Sequence, residues 1–297
     1  MDSLSKIIAQ RKRQDRIFNA VGIACTSLGL ITLLALLGNL LLKGLGEIDW
    51  DFITRYMSYD PQKAGILAGW TGSLLVMLVT LFTAVPLGVA AGVYLEEYGR
   101  RGRLNQLIEI NISNLAGVPS VIYGLMALAL LANPIVFHGT SVTGGFGDTA
   151  VTGGLTLAML ILPIVIVATR EALRAIPAHI REAAYALGAT KWQVVRHHLL
   201  PYSLGGISTG VIIALSRAIG EAAPLVLVGA VAYIAFLPTL DSQFTVLPIQ
   251  MYTWTTDPAA AFHRLAAATG IVLIAITLSL NAVAIVVRYR ARKRIKW

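Results

Sequence analysis

The chain is 297 residues long, with 56% hydrophobic residues, only 13% charged residues and a mean hydropathy of +0.72. Soluble domains carry roughly 25% charged residues, so the composition excludes an ordinary soluble protein and indicates a membrane protein. The net charge is +9, but the basic residues are not grouped with the aromatic side chains that stack on bases, so we expect no nucleic acid among its partners.

Six segments are long and apolar enough to cross a bilayer as helices, which takes about 20 predominantly apolar residues each. In chain order they cover 17–42, 70–95, 106–131, 153–169, 203–231 and 265–287. The first follows a basic tail, as in a signal peptide, but its apolar run exceeds the usual length of about 7 to 15 residues. The sequence therefore predicts an all-α polytopic membrane protein with six transmembrane helices, the first of them uncleaved.

The basic residues indicate how these helices are oriented. Lysine and arginine accumulate on the cytoplasmic side of a membrane protein. With the N-terminus inside, the cytoplasmic segments hold 19 of them: five in the N-terminal tail, three at 100–103, five at 170–196 and six at 288–296. The outer segments hold three, which are Lys43, Arg55 and Lys63. We therefore expect both termini to be cytoplasmic.

Small residues within the spans predict where the helices pack. Helices in a bilayer associate through close contact of small residues, and two pairs of glycines have the G-x-x-x-G spacing that permits it. They are Gly88 with Gly92 in the second span and Gly206 with Gly210 in the fifth. We expect close helix contacts at both pairs.

The polar loop between the fourth and fifth spans carries the first informative motif. It contains Glu182-Ala183-Ala184, then Gly188, then Leu200-Pro201. The spacing resembles the cytoplasmic EAA loop of ABC importer permeases, in which E-A-A is followed by three residues, G, nine residues and I-x-L-P; only His198 departs, at the Ile position. The resemblance implies the type I ABC importer permease fold and an ATPase-docking role for Glu182, Ala183, Ala184, Gly188, Leu200 and Pro201.

The local sequence of this EAA loop (171–202) predicts a helix, a glycine turn and a second helix. The first helix would cover 179–187 and end at Gly188, because glycine readily adopts the left-handed conformation that ends helices. The second would cover 190–199 and stop before Pro201. We expect Ala183, Ala184 and Leu187 to share one face that docks into a partner's groove. The alternative is an amphipathic connector that lies on lipid headgroups.

The fifth span contains the two most costly residues of the chain, Arg217 and Glu221. Each costs at least about 2.5 kcal/mol at the centre of a membrane. At about 100° per residue, they share a small and polar stripe with Ser203, Gly206, Gly210 and Pro224. In one interpretation Arg217 faces a passing anion and Glu221 orients the Arg217 side chain. In the other, the two residues form an i, i+4 ion pair that only holds the bundle together.

The segment 217–225, with the sequence RAIGEAAPL, is similar to the R-A-I-G-E-T-A-P-L signature of phosphate importer permeases of the PstA type. Ala222 replaces the usual threonine. Segment 116–124 also resembles these permeases, and the similarity extends over 65–287. It implies a permease subunit of a phosphate importer in a bacterial or archaeal inner membrane. The implied partners are a second permease of the PstC type, two ATPase subunits and an extracytoplasmic phosphate-binding protein.

Three further expectations follow for the chain itself. It has no phosphate-binding loop with the G-x-x-x-x-G-K-[ST] spacing, so it is not an enzyme by itself, holds no cofactor or metal, and leaves ATP and Mg²⁺ to the ATPase partner. Arg170, at the end of the fourth span, is a second substrate-path candidate, and its alternative role is a headgroup anchor. A permease for sulfate or molybdate, and a scaffold that signals phosphate status, remain as alternative functions.

The predicted domain organisation is a single unit in three parts. The permease core of five helices covers 65–288 and includes the EAA loop. Before it, residues 1–64 hold the N-terminal tail, the first helix and an outer loop, and after it residues 289–297 form a basic cytoplasmic tail.

The orientation can be tested by cysteine labelling after replacement of the single native cysteine by Cys25→Ser. Ser58→Cys and Ser242→Cys should react with a membrane-impermeant thiol reagent added outside intact cells, whereas Ala189→Cys should react only after permeabilisation. The physical reason is the concentration of basic residues on one side, and the reverse labelling pattern would overturn the orientation.

Overall fold

The structure, a computed structural model, describes residues 2–99, 102–133, 136–137, 140–141 and 145–293. Within these ranges the α-helices are α1 (Asp2–Gly44), α2 (Trp50–Thr54), α3 (Leu67–Val93), α4 (Arg103–Leu115), α5 (Ser120–Ala127), α6 (Ala150–Arg174), α7 (Ala178–Ala186), α8 (Lys191–Val194), α9 (Leu200–Ala218), α10 (Ala223–Leu227), α11 (Leu247–Thr256) and α12 (Ala260–Lys293). A 3₁₀ turn at Leu45–Glu47 follows α1, and π-helical turns at Tyr94–Tyr98, Leu128–Ala132 and Val195–Leu199 follow α3, α5 and α8. Two short antiparallel strands, β1 (Val136–Phe137) and β2 (Thr140–Ser141), pair with Val136 opposite Ser141.

Among the residues that the structure describes, five helical segments are long and apolar enough to cross a membrane, and a bent pair of helices makes a sixth. The five are Arg11–Glu47, Leu67–Tyr98, Ala150–Arg174, Lys191–Ala218 and Ala260–Arg290. The predicted class, an all-α polytopic membrane protein with six spans, is confirmed.

The third span departs from the prediction of one continuous helix over 106–131. Helices α4 and α5 meet at an angle of 104°. Pro119 causes the break, because a proline has no N–H to donate and moves the preceding residue away from helical geometry. The Leu115 carbonyl accepts from the Val118 N–H at 3.1 Å and also from the Tyr123 hydroxyl at 2.8 Å, and the second bond ties α5 to the end of α4.

The fifth span also differs from its predicted bounds of 203–231. It begins at Lys191 and ends at Ala218. The prediction that a helix stops before Pro201 is wrong: the π turn at Val195–Leu199 leads directly into α9, which contains Pro201. A π turn is one way in which a membrane helix accommodates a proline. At the other end, residues 219–222 separate α9 from α10.

An apolar cluster closes the end of the bundle where α3 begins. Trp254 on α11 is fully buried and its ring lies 6.2 Å from Phe52 of α2 and 6.1 Å from Phe262 of α12. The Gln250 side-chain amide donates to the Gly65 carbonyl at 2.7 Å. The segments between spans are therefore folded onto one another at this end.

Helix α6 lies at the centre of the bundle and is the most buried of the spans. Both G-x-x-x-G pairs make close helix contacts, as the sequence predicted, and the helix that both pairs contact is α6. A methyl group added at Gly92 of α3 would lie 2.7 Å from the Thr169 Cβ, and one added at Gly206 of α9 would lie 2.7 Å from the Ala172 Cβ. Only glycine permits these approaches.

Gly92→Val should therefore destabilise the bundle, by about 1–3 kcal/mol as is typical of overpacked cores. The expected result is a lower unfolding temperature in detergent and a lower yield of folded protein. Gly38→Val is the matched control, since Gly38 lies on α1 with no atom within 4 Å of an added Cβ. Equal effects of the two variants would contradict the packing role of Gly92.

Candidate functional site

The EAA loop folds as the predicted helix, glycine turn and helix. Helix α7 ends at Ala186, and Gly188 follows with φ +79°, in the left-handed region that favours glycine. Thr190 then caps α8: its hydroxyl accepts from the Gln193 N–H at 3.3 Å, and the Gln193 side chain accepts from the Thr190 N–H at 2.8 Å. This reciprocal capping fixes where the second helix starts.

One face of the EAA loop is open to solvent. Glu182, Ala183 and Gly188 are exposed, and Leu187 is 91% exposed. Leu187, Ala183 and the Glu182 carboxylate together give this face an apolar patch beside one charge. The arrangement can fill a groove on another protein.

The remaining residues assigned to docking lie beneath this face. The prediction that Ala184 shares a face with Ala183 and Leu187 is wrong: Ala184 is 7% exposed and packs in an apolar cluster with Val194 and Leu199. Leu200 and Pro201 are half-buried at the start of α9. These three residues can hold the loop in place, but they do not present an open docking surface.

A group of ion pairs connects the EAA loop to the π turn after α3, to the middle of α4 and to the last two turns of α6. The residues that pair between these elements, called the ion-pair network, are Glu96, Glu97, Glu109, Arg170, Arg174 and Arg181. The network lines an open cleft of about 1180 Å³ between α4 and α7. Charged side chains are costly to desolvate unless they are paired, so removal of one member would leave an uncompensated charge at this end of the bundle.

Arg170 is the buried centre of this network. Its side chain is only 5% exposed, and it lies 3.4 Å from the Glu96 carboxylate and 2.9 Å from that of Glu109. Arg174, one helical turn later, contacts both carboxylates at 3.0 Å. The alternative interpretation of Arg170 as a headgroup anchor is wrong, because the guanidinium is enclosed by protein.

Arg181 links the EAA loop to the network. It donates to the Glu97 carboxylate at 2.8 Å and to the carbonyls of Leu173 and Ile176 at 2.9 Å each. Burial raises the pKa of the neighbouring Tyr185 phenol, and the charge of Glu97 raises it further. Tyr185 therefore stays neutral at neutral pH and adds no charge to the network.

Sequence reasoning did not identify Glu96, Glu97, Arg174 and Arg181 as members of a site. A usable signal was present, since Glu96 and Glu97 are adjacent carboxylates at the end of an apolar span. On a side rich in lysine and arginine, such a pair indicates fixed ion partners. The partners themselves lie 74 to 84 residues away, which is why spacing alone did not reveal them.

Arg217 lies in the last turn of α9, and Glu221 lies in the break of residues 219–222 that follows it, so the two do not share one continuous helix. The Arg217 Nε is 3.7 Å from the Glu221 Oε1, and the side chains are 43% and 21% exposed. This distance is an ion pair but exceeds hydrogen-bond length. The guanidinium therefore keeps an accessible face toward the surface of the bundle.

The predicted polar stripe on the fifth span is divided among different surroundings. Gly206 and Gly210 contact α6, and Ser203 is buried. Pro224 lies on α10, where it packs against Gly124 of α5. The stripe thus serves mainly for packing.

Within the described parts of the chain, no three His, Cys, Asp or Glu side chains come together in a group that could hold a metal ion.

Residues 84–297 match the family described as binding-protein-dependent transport system inner membrane component. The chain belongs to this family. It is 32% identical over 294 residues to the phosphate transport system permease protein PstA of Xylella fastidiosa, a match that covers 97% of this chain and 98% of that protein. It is 31% identical over 245 residues to PstA 1 of Mycobacterium tuberculosis, which covers 82% and 77% respectively.

Solved structures of ABC importers share the fold of this family member. A chain of a bacterial alginate ABC transporter, in complex with a periplasmic protein bound to alginate pentasaccharide, superposes with a TM-score of 0.70 at 15% identity and covers 95% of this chain and 96% of its own. A chain of the inward-facing MetNI methionine ABC transporter gives a TM-score of 0.60 at 20% identity and covers 76% and 95%. The permease therefore has the type I ABC importer fold.

Two substitutions test the role of the EAA loop of this permease. Gly188→Val should disturb the turn, because a left-handed backbone costs a non-glycine residue about 1–2 kcal/mol, and Glu182→Arg should reverse the charge of the exposed face. We expect both to lower the amount of ATPase subunit that co-purifies while membrane insertion is unchanged.

Gly102→Val is the matched control for the turn variant. Gly102 has φ −170° and no atom within 4 Å of an added Cβ, so valine fits there without strain. Full recovery of ATPase subunit with both EAA-loop variants would show that the open face is not the docking surface.

Proposed function

We propose that this chain is the PstA-type permease subunit of an ATP-driven importer of inorganic phosphate. The observation that carries the proposal is its similarity, at 31–32% identity over most of its length, to proteins named phosphate transport system permease PstA. The RAIGEAAPL segment at 217–225 and the exposed guanidinium at its start support the same function. The chain would form half of the translocation path.

Arg217 is the residue we propose to meet phosphate. A guanidinium forms paired, charge-assisted hydrogen bonds to phosphate oxygens, and Arg217 is 43% exposed with its own carboxylate partner 3.7 Å away. That loose pairing suits brief contact, since a path that binds its anion strongly would retain it. Glu221 would orient the guanidinium between passages.

Arg170 suits a substrate contact less well. Two carboxylates lie within 3.4 Å of its guanidinium, and the side chain is 5% exposed. An anion would have to displace both of them. We therefore propose a structural role for Arg170 and a substrate role for Arg217.

The partners that this function requires are a second permease subunit of the PstC type, two ATPase subunits and an extracytoplasmic phosphate-binding protein. We propose that the ATPase subunits bind ATP and Mg²⁺ and dock on the open face of the EAA loop, so that this chain is not an enzyme by itself and carries no cofactor. The complex would lie in a bacterial or archaeal inner membrane with both termini of this chain in the cytoplasm, as its basic residues indicate.

Reconstitution tests the proposal directly. The complex is purified through this chain, its subunits are identified, and uptake of labelled phosphate, sulfate and molybdate is measured in vesicles with and without ATP. ATP-dependent uptake of phosphate in preference to the other two anions is expected. Preference for sulfate or molybdate, or ATPase activity without uptake, would replace the proposal by another oxyanion permease or a signalling scaffold.

Variants of Arg217 test its contact with phosphate. Arg217→Gln should lower uptake about 10- to 100-fold, since a hydrogen bond to a charged group is worth roughly 1.5–3 kcal/mol, and Arg217→Lys should be intermediate. Complex yield should stay near that of the parent. Arg264→Gln, which breaks the exposed Arg264–Glu47 pair at 2.7 Å, is the matched control and should leave uptake unchanged.

The charge exchange Arg217→Glu with Glu221→Arg separates a substrate contact from a purely structural pair. It should keep complex yield near that of the parent but lower uptake, because the cation moves along the path and a carboxylate replaces it. Parental values of both yield and uptake would mean that the pair only holds the bundle together.

A further inference from the structure

Helix α4 is attached to the rest of the bundle in an unusual way. Over its 13 residues, Arg103–Leu115, none is buried, and apolar side chains such as Leu104 and Ile110 are more than half exposed. Its ion pairs with the bundle are made by Glu109, whose carboxylate lies 2.9 Å from Arg170 and 3.0 Å from Arg174 of α6, and the Asn105 amide adds a hydrogen bond to the Leu95 carbonyl at 3.4 Å. The position of α4 against α6 therefore depends on the Glu109 carboxylate more than on apolar packing.

The same two arginines connect α4 to the EAA loop. Both also contact Glu96, and the next residue, Glu97, holds Arg181 of α7 at 2.8 Å. Glu96 and Glu97 are adjacent on the π turn that follows α3. Glu96 therefore contacts the two arginines that hold α4, while Glu97 contacts the arginine of α7. Helices α4 and α7 face each other across the cleft of about 1180 Å³, and the ion-pair network joins them around its edge.

Helix α4 leads in turn to the Arg217 region. Beyond the 104° bend it continues into α5, where a Cβ at Gly124 would lie 2.8 Å from the Pro224 Cα of α10. Helix α10 begins two residues after Glu221. A displacement of α4 would therefore be transmitted through α5 and α10 to the break at residues 219–222, which contains Glu221 and directly follows the last turn of α9 with Arg217.

We propose that the ion-pair network is a mechanical relay between the EAA loop and α4, and that Glu109 is the positioning residue through which α4 follows the loop. This inference rests on the proposed function, in which an ATPase moves the EAA loop. Charge-assisted hydrogen bonds are directional, and breaking a buried pair leaves an uncompensated charge. The network therefore keeps its contacts as the helices move, while the open cleft leaves α4 room to shift.

The test compares Glu109→Gln with Glu171→Gln in the intact complex. Glu171 contacts the same Arg174, at 3.6 Å, but both residues lie on α6 and Glu171 is 66% exposed. The two variants thus remove the same charge near the same arginine, and only Glu109→Gln breaks a contact between helices. Three quantities are measured in vesicles: ATPase subunit per permease, ATP hydrolysis stimulated by phosphate-loaded binding protein, and phosphate taken up per ATP hydrolysed.

Glu109→Gln should retain the ATPase subunit and hydrolyse ATP, but its phosphate uptake per ATP should fall about tenfold, the order of magnitude by which mutations along a coupling network change the coupling. Glu171→Gln should keep the parental ratio. Glu109→Asp, which keeps the charge on a shorter side chain, should give an intermediate uptake per ATP. If Glu109→Gln does not assemble, Glu109→Asp replaces it in the comparison.

A parental ratio of uptake to hydrolysis in Glu109→Gln and Glu109→Asp, or equal losses in Glu109→Gln and Glu171→Gln, would overturn the relay. Failure of the proposed function is distinguishable, because the parent complex itself would then show no ATP-dependent phosphate uptake.

Discussion

The close contact of α3 and α9 with α6 is the interaction on which the rest of the structure depends. In a bilayer, lipid chains are as apolar as the helix surfaces, so burial of apolar area adds little and helices associate through close packing. Gly92 and Gly206 bring their helices against Thr169 and Ala172 of α6. The bundle that results positions α6 so that its last two turns carry Arg170 and Arg174 into the ion-pair network.

The breaks in the helices are as important for function as the helices. A membrane favours continuous helices because backbone groups have no water to bond, and irregular segments persist where side chains or neighbouring helices satisfy them. Tyr123 does so at the bend before α5. The break after Ala218 places Glu221 outside a regular helix, with its carboxylate 3.7 Å from the guanidinium of Arg217 in the last turn of α9. Both breaks meet where α5 packs on α10.

Arg170 and Arg217 have different surroundings, and we therefore propose different roles for them. Arg170 is enclosed with two carboxylates within 3.4 Å, which makes it a rigid junction between helices. Arg217 has a single carboxylate at 3.7 Å and an exposed side chain. A junction has to keep its partners during transport, whereas a residue that meets the transported anion has to exchange them. The proposed division into a relay and a substrate contact follows from this difference.

The sequence by itself was enough to determine the membrane setting, the helical class and the EAA loop with its glycine turn, and it singled out Arg217 as a candidate substrate contact, which stays a prediction. These features are local: apolar length, helix-ending chemistry at Gly188 and motif spacing are all encoded within short windows. The two G-x-x-x-G contacts were also predictable, although their shared partner α6 was not.

The tertiary structure alone decided the bend in the third span, the inward position of Ala184 and the partners of Arg170. Proline at position 119 was visible in the sequence, but whether a proline kinks or breaks a span depends on which neighbouring groups satisfy the freed carbonyls. Glu96, Glu97 and Glu109 come from segments far from Arg170 and Arg181 in the chain. Their pairing depends on the packing of α3, α4 and α6, because an ion pair forms only where the fold brings its charges within reach.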